Sequence, residues 1–130
     1  MPTEIVITAA DLKVEGVLND SPTAQALAEA LPITGEARLW GEEIYFPVPQ
    51  VVAELDDTAT PVVQVGDLGY WPTGRALCLF FGLTPASVPG EIRPASPVNL
   101  VGRLHGDPCC LKLVPEGARV RVERKAGQAI

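Results

Sequence analysis

Gly66-Asp67-Leu68-Gly69-Tyr70-Trp71-Pro72-Thr73-Gly74-Arg75 runs directly into Ala76-Leu77-Cys78-Leu79-Phe80-Phe81-Gly82. The second half, from Ala76 to Phe81, is the longest apolar run in the chain. A short continuous apolar run bounded by turn residues reads as a central strand buried on both faces. It is far too short to cross a bilayer. The first half places Tyr70 and Trp71 among Gly66, Gly69 and Gly74. Glycines permit backbone conformations that a Cβ forbids, so this half reads as a tightly folded loop feeding the strand.

Outward from this strand the chain is punctuated throughout. Thirteen prolines and 12 glycines in 130 residues leave few stretches long enough for helices, which excludes an all-α bundle. Ile5–Ile7 and Leu12–Glu15 read as a hairpin turning at 9–11, with Leu12 and Val14 inward and Lys13 and Glu15 outward. One helix is expected, from Pro22 to about Leu31. Asp20 or Ser21 caps it, Pro22 stands at its first position, Ala24, Leu27 and Leu31 share a stripe, and Pro32 stops it.

Glu36–Trp40 and Glu43–Phe46 read as a second hairpin around Gly41-Glu42. Pro47 and Pro49 end it, and residues 51–60 form an acidic loop or edge. Val62–Val65 reads as a strand, and Thr84–Pro97, with four prolines, as a long irregular segment. Val98–Leu104, Leu111–Val114 and Ala118–Glu123 complete the strands, the last with Val120 and Val122 inward. About eight strands with one short helix imply a mainly β fold. The expected architecture is a closed or nearly closed antiparallel β-barrel, a single domain over residues 1–130.

The net charge of −6 is unevenly laid out. Residues 1–67 carry 12 acids against Lys13 and Arg38, while residues 68–130 carry 4 acids against 8 bases. The expected consequence is one sheet system whose halves pair and neutralise each other. The acidic balance excludes a phosphate-backbone binder, so no nucleic-acid partner is expected. The N-terminus shows neither a basic region nor a long apolar stretch, so no secretory signal is read. With three cysteines and no such signal, the expectation is reduced thiols in the cytoplasm and no membrane association.

Tyr70 and Trp71 offer a flat apolar wall with polar handles, and Arg75 a fixed positive fork. They suit a ligand with an apolar body and a carboxylate or carbonyl; the plainer alternative is that the rings plug the barrel end. His105-Gly106-Asp107-Pro108-Cys109-Cys110 gathers the one histidine, an acid and two thiols. Adjacent cysteines chelate one ion awkwardly, so the segment reads as a turn with inert thiols and no metal or cofactor is assigned. Cys78 reads as a small buried hydrophobe. Glu42-Glu43 and Asp56-Asp57 read as solvated charge, and no dinucleotide or phosphate-loop fingerprint is present. No catalytic residue is assigned.

The order of several short motifs resembles the cyclophilins, and more closely the small prokaryotic cyclophilin-like family. Val14–Leu18 leading into Pro22-Thr23-Ala24, Gln64-Val65-Gly66-Asp67, Phe80-Phe81 with Thr84, and Val101-Gly102-Arg103-Leu104 occur in the cyclophilin order. The stretch from Gly66 to Pro85 looks like the hallmark of the small family. The resemblance implies a cyclophilin-like barrel in which Phe81 floors an apolar pocket, with Gln64, Tyr70, Trp71 and Arg75 around it. It also implies what is lost. The position of the essential cyclophilin arginine, eight residues before Gln64, is Asp56, and residues 51–65 contain no Arg or Lys. The pocket Trp and His positions fall on Arg93 and Val98, and Leu79 stands where cyclophilins place Gln.

These observations give a protein that binds a small molecule or proline-containing peptide in an apolar pocket and lacks efficient prolyl isomerase activity. The alternatives are an enzyme of unassigned class acting as a hydrolase or on amides, a residual isomerase, and an interaction module. Either a monomer or a homodimer fits.

Overall fold

The computed structural model describes residues 2–126. In chain order, β1 (Thr3–Ala9), β2 (Leu12–Leu18), helix α1 (Pro22–Ala30), β3 (Ile33–Glu36), β4 (Arg38–Leu39) and β5 (Glu43–Pro47) come first. β6 (Ala59–Thr60), β7 (Asp67–Trp71), β8 (Ala76–Phe80), β9 (Val98–Leu104), a 3-10 helix (Pro108–Leu113) and β10 (Arg119–Arg124) follow.

Nine strands make one sheet in the order β3-β10-β1-β2-β9-β7-β8-β5-β4, with β6 beside β9 off that path. Each pairing is antiparallel. The two ends of the path, β3 and β4, are separated in the chain by the buried Ala37 alone. β3 also packs on β5: a Cβ at Gly35 would lie 2.9 Å from the Phe46 ring. The sheet is therefore a nearly closed antiparallel barrel, which leaves few strand edges free to pair with other chains.

Alternation fills it. β1 buries Thr3, Ile5, Ile7 and Ala9, and β10 buries Val120 and Val122 while Arg119 and Arg121 face water. Helix α1 starts where Ser21 Oγ accepts from Ala24 N at 3.3 Å and Pro22 occupies the first turn. It buries Thr23, Ala24 and Leu27 and packs against β2 and β9.

Strand β8 explains the unbroken apolar run. Leu77 and Leu79 join the barrel interior, where Ile5, Phe46, Tyr70 and Val101 also lie. Cys78 and Phe80 point the other way, into a second cluster with Val63 and Val98. That outer cluster is covered by Tyr45, Trp71, Ile92 and Leu100. Burying side chains such as Phe80 and Val98 contributes roughly 1.5–3 kcal/mol each, which gives the irregular 84–97 segment a reason to stay on the sheet.

Four segments differ from their sequence reading. Val62–Val65 is not a strand: Val63 makes a single bridge to Ile92, and Asp67 Oδ2 accepts from Gln64 N at 2.8 Å, closing a turn in which Gly66 has φ +94°. Conversely, 66–74 is not a loop, because β7 occupies Asp67–Trp71. Gly69 serves close approach there, since its Cβ would lie 2.8 Å from Val98 Cγ2. Leu111–Val114 lies largely within the 3-10 helix, started by Asp107, whose side chain accepts from Cys109 N, and by Pro108. Glu36 belongs to β3, which pairs β10, so the hairpin arm facing β5 is Arg38–Leu39.

Acids of the first half meet bases of the second. Asp67–Arg103 (2.6 Å), Glu15–Lys125 (3.0 Å), Glu4–His105 (3.0 Å) and Glu42–Lys112 (3.4 Å) all cross that division. The exposed pairs among these are individually weak; Asp67, which is buried, is the exception.

Candidate functional site

On β5, period-2 alternation turns Ile44 and Phe46 into the barrel and Glu43 and Tyr45 to its outer face. Tyr45 lies directly opposite Cys78 of β8, and Glu43 opposite Phe80. Trp71 ends β7, and its ring meets that of Tyr45 edge-on, with centroids 6.3 Å apart at 81°. Trp40, in the turn between β4 and β5, donates its backbone N–H to Glu43 O at 3.0 Å. The proline-rich segment closes over this face, fixed by a hydrogen bond from Trp71 Nε1 to Ser96 Oγ at 2.6 Å.

Between sheet and segment lies a cavity of about 160 Å³, lined by Trp40, Glu43, Tyr45, Trp71, Cys78 and Val98, with Pro94 and Ala95 above. Glu43 is its one charged lining residue. The residue is 5% exposed, and Oε1 is a buried oxygen with no hydrogen-bond partner among the described residues. Burial pushes the Glu43 carboxyl up to about 7, against a smaller downward pull from the neighbouring Cys78 thiol. Burial, reinforced by the Glu43 charge, pushes the Cys78 thiol well above its ordinary value. Cys78 is thus an inert wall, while Glu43 changes charge near neutral pH.

The five residues expected to converge do not. Trp71 lines the cavity. Tyr70, its neighbour in sequence, points into the barrel, fully buried, and its hydroxyl donates to Val51 O at 2.8 Å. Phe81 is also in the interior cluster, so Phe80 is the phenylalanine on the outer face. Gln64 is exposed and lines an open groove with Val17 and Leu100. Arg75 is exposed in the β7–β8 turn, with φ +48° and its backbone carbonyl accepting from Val48 N.

Trp40, Glu43 and Tyr45 were not anticipated. Glu43, read as solvated charge, is buried. The signal was present as alternation, because Glu43 and Tyr45 share one face of a strand whose other face is Ile44 and Phe46. What covers that face is a segment some 50 residues away in the chain, and no local pattern announces it.

Asp56 is a structural acid. Its carboxylate accepts from Thr23 Oγ1 at 2.9 Å and from Thr58 N at 2.8 Å. The fully buried Asn99 of β9 donates to Thr23 Oγ1 and accepts from Asp56 N, completing a tie between α1, β9 and residues 54–58. Desolvation alone would raise the Asp56 carboxyl, but hydrogen bonds from Thr58 and Thr23 outweigh it and hold the group below its ordinary value.

His105 pairs with Glu4 Oε1 at 3.0 Å and follows the end of β9 where Arg103 faces Asp67. Trp71 lies at the other end of that ladder, where Tyr70 faces Asn99. Cys78, Cys109 and Cys110 are free. Among the described residues, no group of three or more His, Cys, Asp or Glu is placed to hold a metal ion, and no helix is long and apolar enough to cross a membrane.

A family model described as cyclophilin-like matches residues 3–123. The solution structure of a hypothetical protein from Archaeoglobus fulgidus is similar to the chain at 42% identity, with a TM-score of 0.79 and 95% of each chain covered. The structure of McbB in complex with tryptophan shares the fold at 17% identity and a TM-score of 0.66. That match covers 97% of this chain, which spans 46% of the McbB chain. No curated protein sequence matches.

Proposed function

The chain belongs to the cyclophilin-like family, and from that premise we propose that it binds a small molecule in the cavity beneath the proline-rich segment and is not an efficient prolyl isomerase. The observation that carries this reading is the cavity itself: both tryptophans of the chain and one of its two tyrosines surround a buried, unpaired carboxyl oxygen. Apolar walls with one convergent polar group are the usual make-up of a small-molecule site. Size bounds the ligand, since an apolar cavity of about 150 Å³ holds benzene, so about 160 Å³ accepts one ring or a headgroup of that bulk.

Isomerisation must lower a barrier of roughly 18–20 kcal/mol, and cyclophilins assist it with a cation near the prolyl nitrogen. Here the cavity lining contains no Arg or Lys. Asp56, at the corresponding sequence position, is engaged by Thr23 and Thr58. An acid facing the developing charge opposes the required polarisation.

A thermal-shift and tryptophan-fluorescence screen of single-ring compounds tests the binding reading. Saturable hits are expected to change Trp emission and to lose their effect in Trp40→Ala. Hits that bind Trp40→Ala unchanged, or no saturable hit at all, would overturn it.

A further inference from the structure

We infer that the cavity selects a small organic cation, an ammonium headgroup held by the Glu43 carboxylate and the ring faces of Trp40, Tyr45 and Trp71. This rests on the cavity being a binding site and names the charge class of its ligand.

The first support is geometric. Three electron-rich rings line one cavity of about 160 Å³, together with a single acid. Aromatic rings attract cations through their quadrupole, most strongly for Trp, and desolvation strengthens the attraction; cages of such rings recognise quaternary ammonium groups. Tyr45 and Trp71 meet at 81° and so form two walls of a corner rather than a flat stack, which suits a compact headgroup better than a slab.

The second support is the unsatisfied acid. A buried carboxyl oxygen without a partner is costly unless something pairs with it. Glu43 Oε1 is such an atom, 5% exposed at the residue level and lining the cavity. The groups around it leave the pairing to a ligand. From β8 the Cys78 thiol, a weak donor, neighbours it, and on β5 Tyr45 lines the same cavity. Glu42, next to it in the turn, is committed elsewhere, to Leu83 N and to Lys112. Arg93, the base nearest in sequence to the roof, pairs through Nη2 with Glu91; its Nε is buried without a partner among the described residues, but Arg93 lines a separate hollow beyond Pro94 and Ala95 rather than the cavity. No base of the chain neutralises Glu43 among the residues that line the cavity.

Protonation and binding are then linked. A cation favours the ionised carboxylate and lowers its affinity for protons, so binding near neutral pH releases a proton from Glu43. With the carboxyl at about 7 in the free protein, its ionised fraction rises about tenfold between pH 6 and pH 8.

The test is calorimetric titration of the full chain with choline and with 3,3-dimethylbutan-1-ol, in which carbon replaces the charged nitrogen. Choline is expected to bind at least tenfold more tightly than the alcohol at pH 8, with affinity about tenfold lower at pH 6 and proton release on binding. Glu43→Gln, which keeps the shape and removes the charge, is expected to abolish both the preference and the pH dependence. Equal or tighter binding of the alcohol at pH 8 would overturn the cation assignment and leave the small-molecule reading intact. So would a preference for choline that persists in Glu43→Gln. Binding of neither, together with an empty ring-compound screen, would remove both.

Discussion

Trp71 Nε1 donates to Ser96 Oγ at 2.6 Å, so one hydrogen bond ties the last residue of β7 to the proline-rich segment that covers the sheet's outer face. The segment is also anchored by the bridge from Val63 to Ile92, by the apolar contact of Ile92 with the outer cluster, and by Thr84 and Pro85 packed against Gly41. The cavity lies beneath this segment.

Ser96→Ala removes the acceptor and leaves the indole N–H part-buried. The expected loss is about 1 kcal/mol in chemical denaturation. Acrylamide should quench Trp emission more readily than in the unmodified chain. Unchanged quenching would mean that the segment stays closed without this bond.

Glu43 makes stability depend on pH. Its carboxyl is at about 7 in the folded chain against an ordinary 4.5, so the folded state binds more protons than the unfolded one between these values. The Glu43 contribution to stability is fully present below about 4.5, falls as pH rises towards 7, and levels off above it, a change of up to about 3 kcal/mol. Urea denaturation across this range measures it, and Glu43→Gln should flatten the curve over this window.

Asp56→Ala should act on folding. Loss of the carboxylate leaves Thr23 Oγ1 and Thr58 N without their acceptor, a destabilisation of about 2–3 kcal/mol. A coupled tetrapeptide assay should show prolyl isomerisation at the uncatalysed rate in the unmodified protein. Acceleration that vanishes in Arg75→Ala would contradict the non-isomerase reading.

Gly69 is placed for contact, not for conformation. A Cβ there meets Val98 Cγ2 at 2.8 Å and the Phe80 ring at 3.2 Å, so Gly69→Ala should destabilise by roughly 1–3 kcal/mol through overpacking. Val98→Ala in the same chain should recover part of the loss, read as non-additivity in a double-mutant cycle.

Much of the barrel was legible because its signals are local. The alternation of Arg119–Arg124, the Ser21-Pro22 helix start and the Pro32 stop each act over a few residues, and the structure follows them. The apolar run Ala76–Phe81 indicated a strand buried on both faces, which β8 is. Local signals misled where a turn intervened. Val62–Val65 has the composition of a strand, but the Asp67 side chain draws Gln64 N into a turn. Asp107-Pro108 likewise started a 3-10 helix where Leu111–Val114 suggested a strand.

Tyr70 and Trp71 mark the boundary most sharply. Adjacent in sequence, they read as one surface; in a strand, neighbours face opposite sides, so Tyr70 fills the barrel and Trp71 lines the outer cavity. Pattern and composition by themselves determined the antiparallel barrel, its helix and the buried strand at its centre, because those follow from period and from turn chemistry within a few residues. Tertiary structure alone decided which face of β5 is covered, and with it the burial of Glu43 beside Trp40, Tyr45 and Trp71. A carboxyl's environment is set by what lies across space from it, and here that is a segment some 50 residues further along the chain.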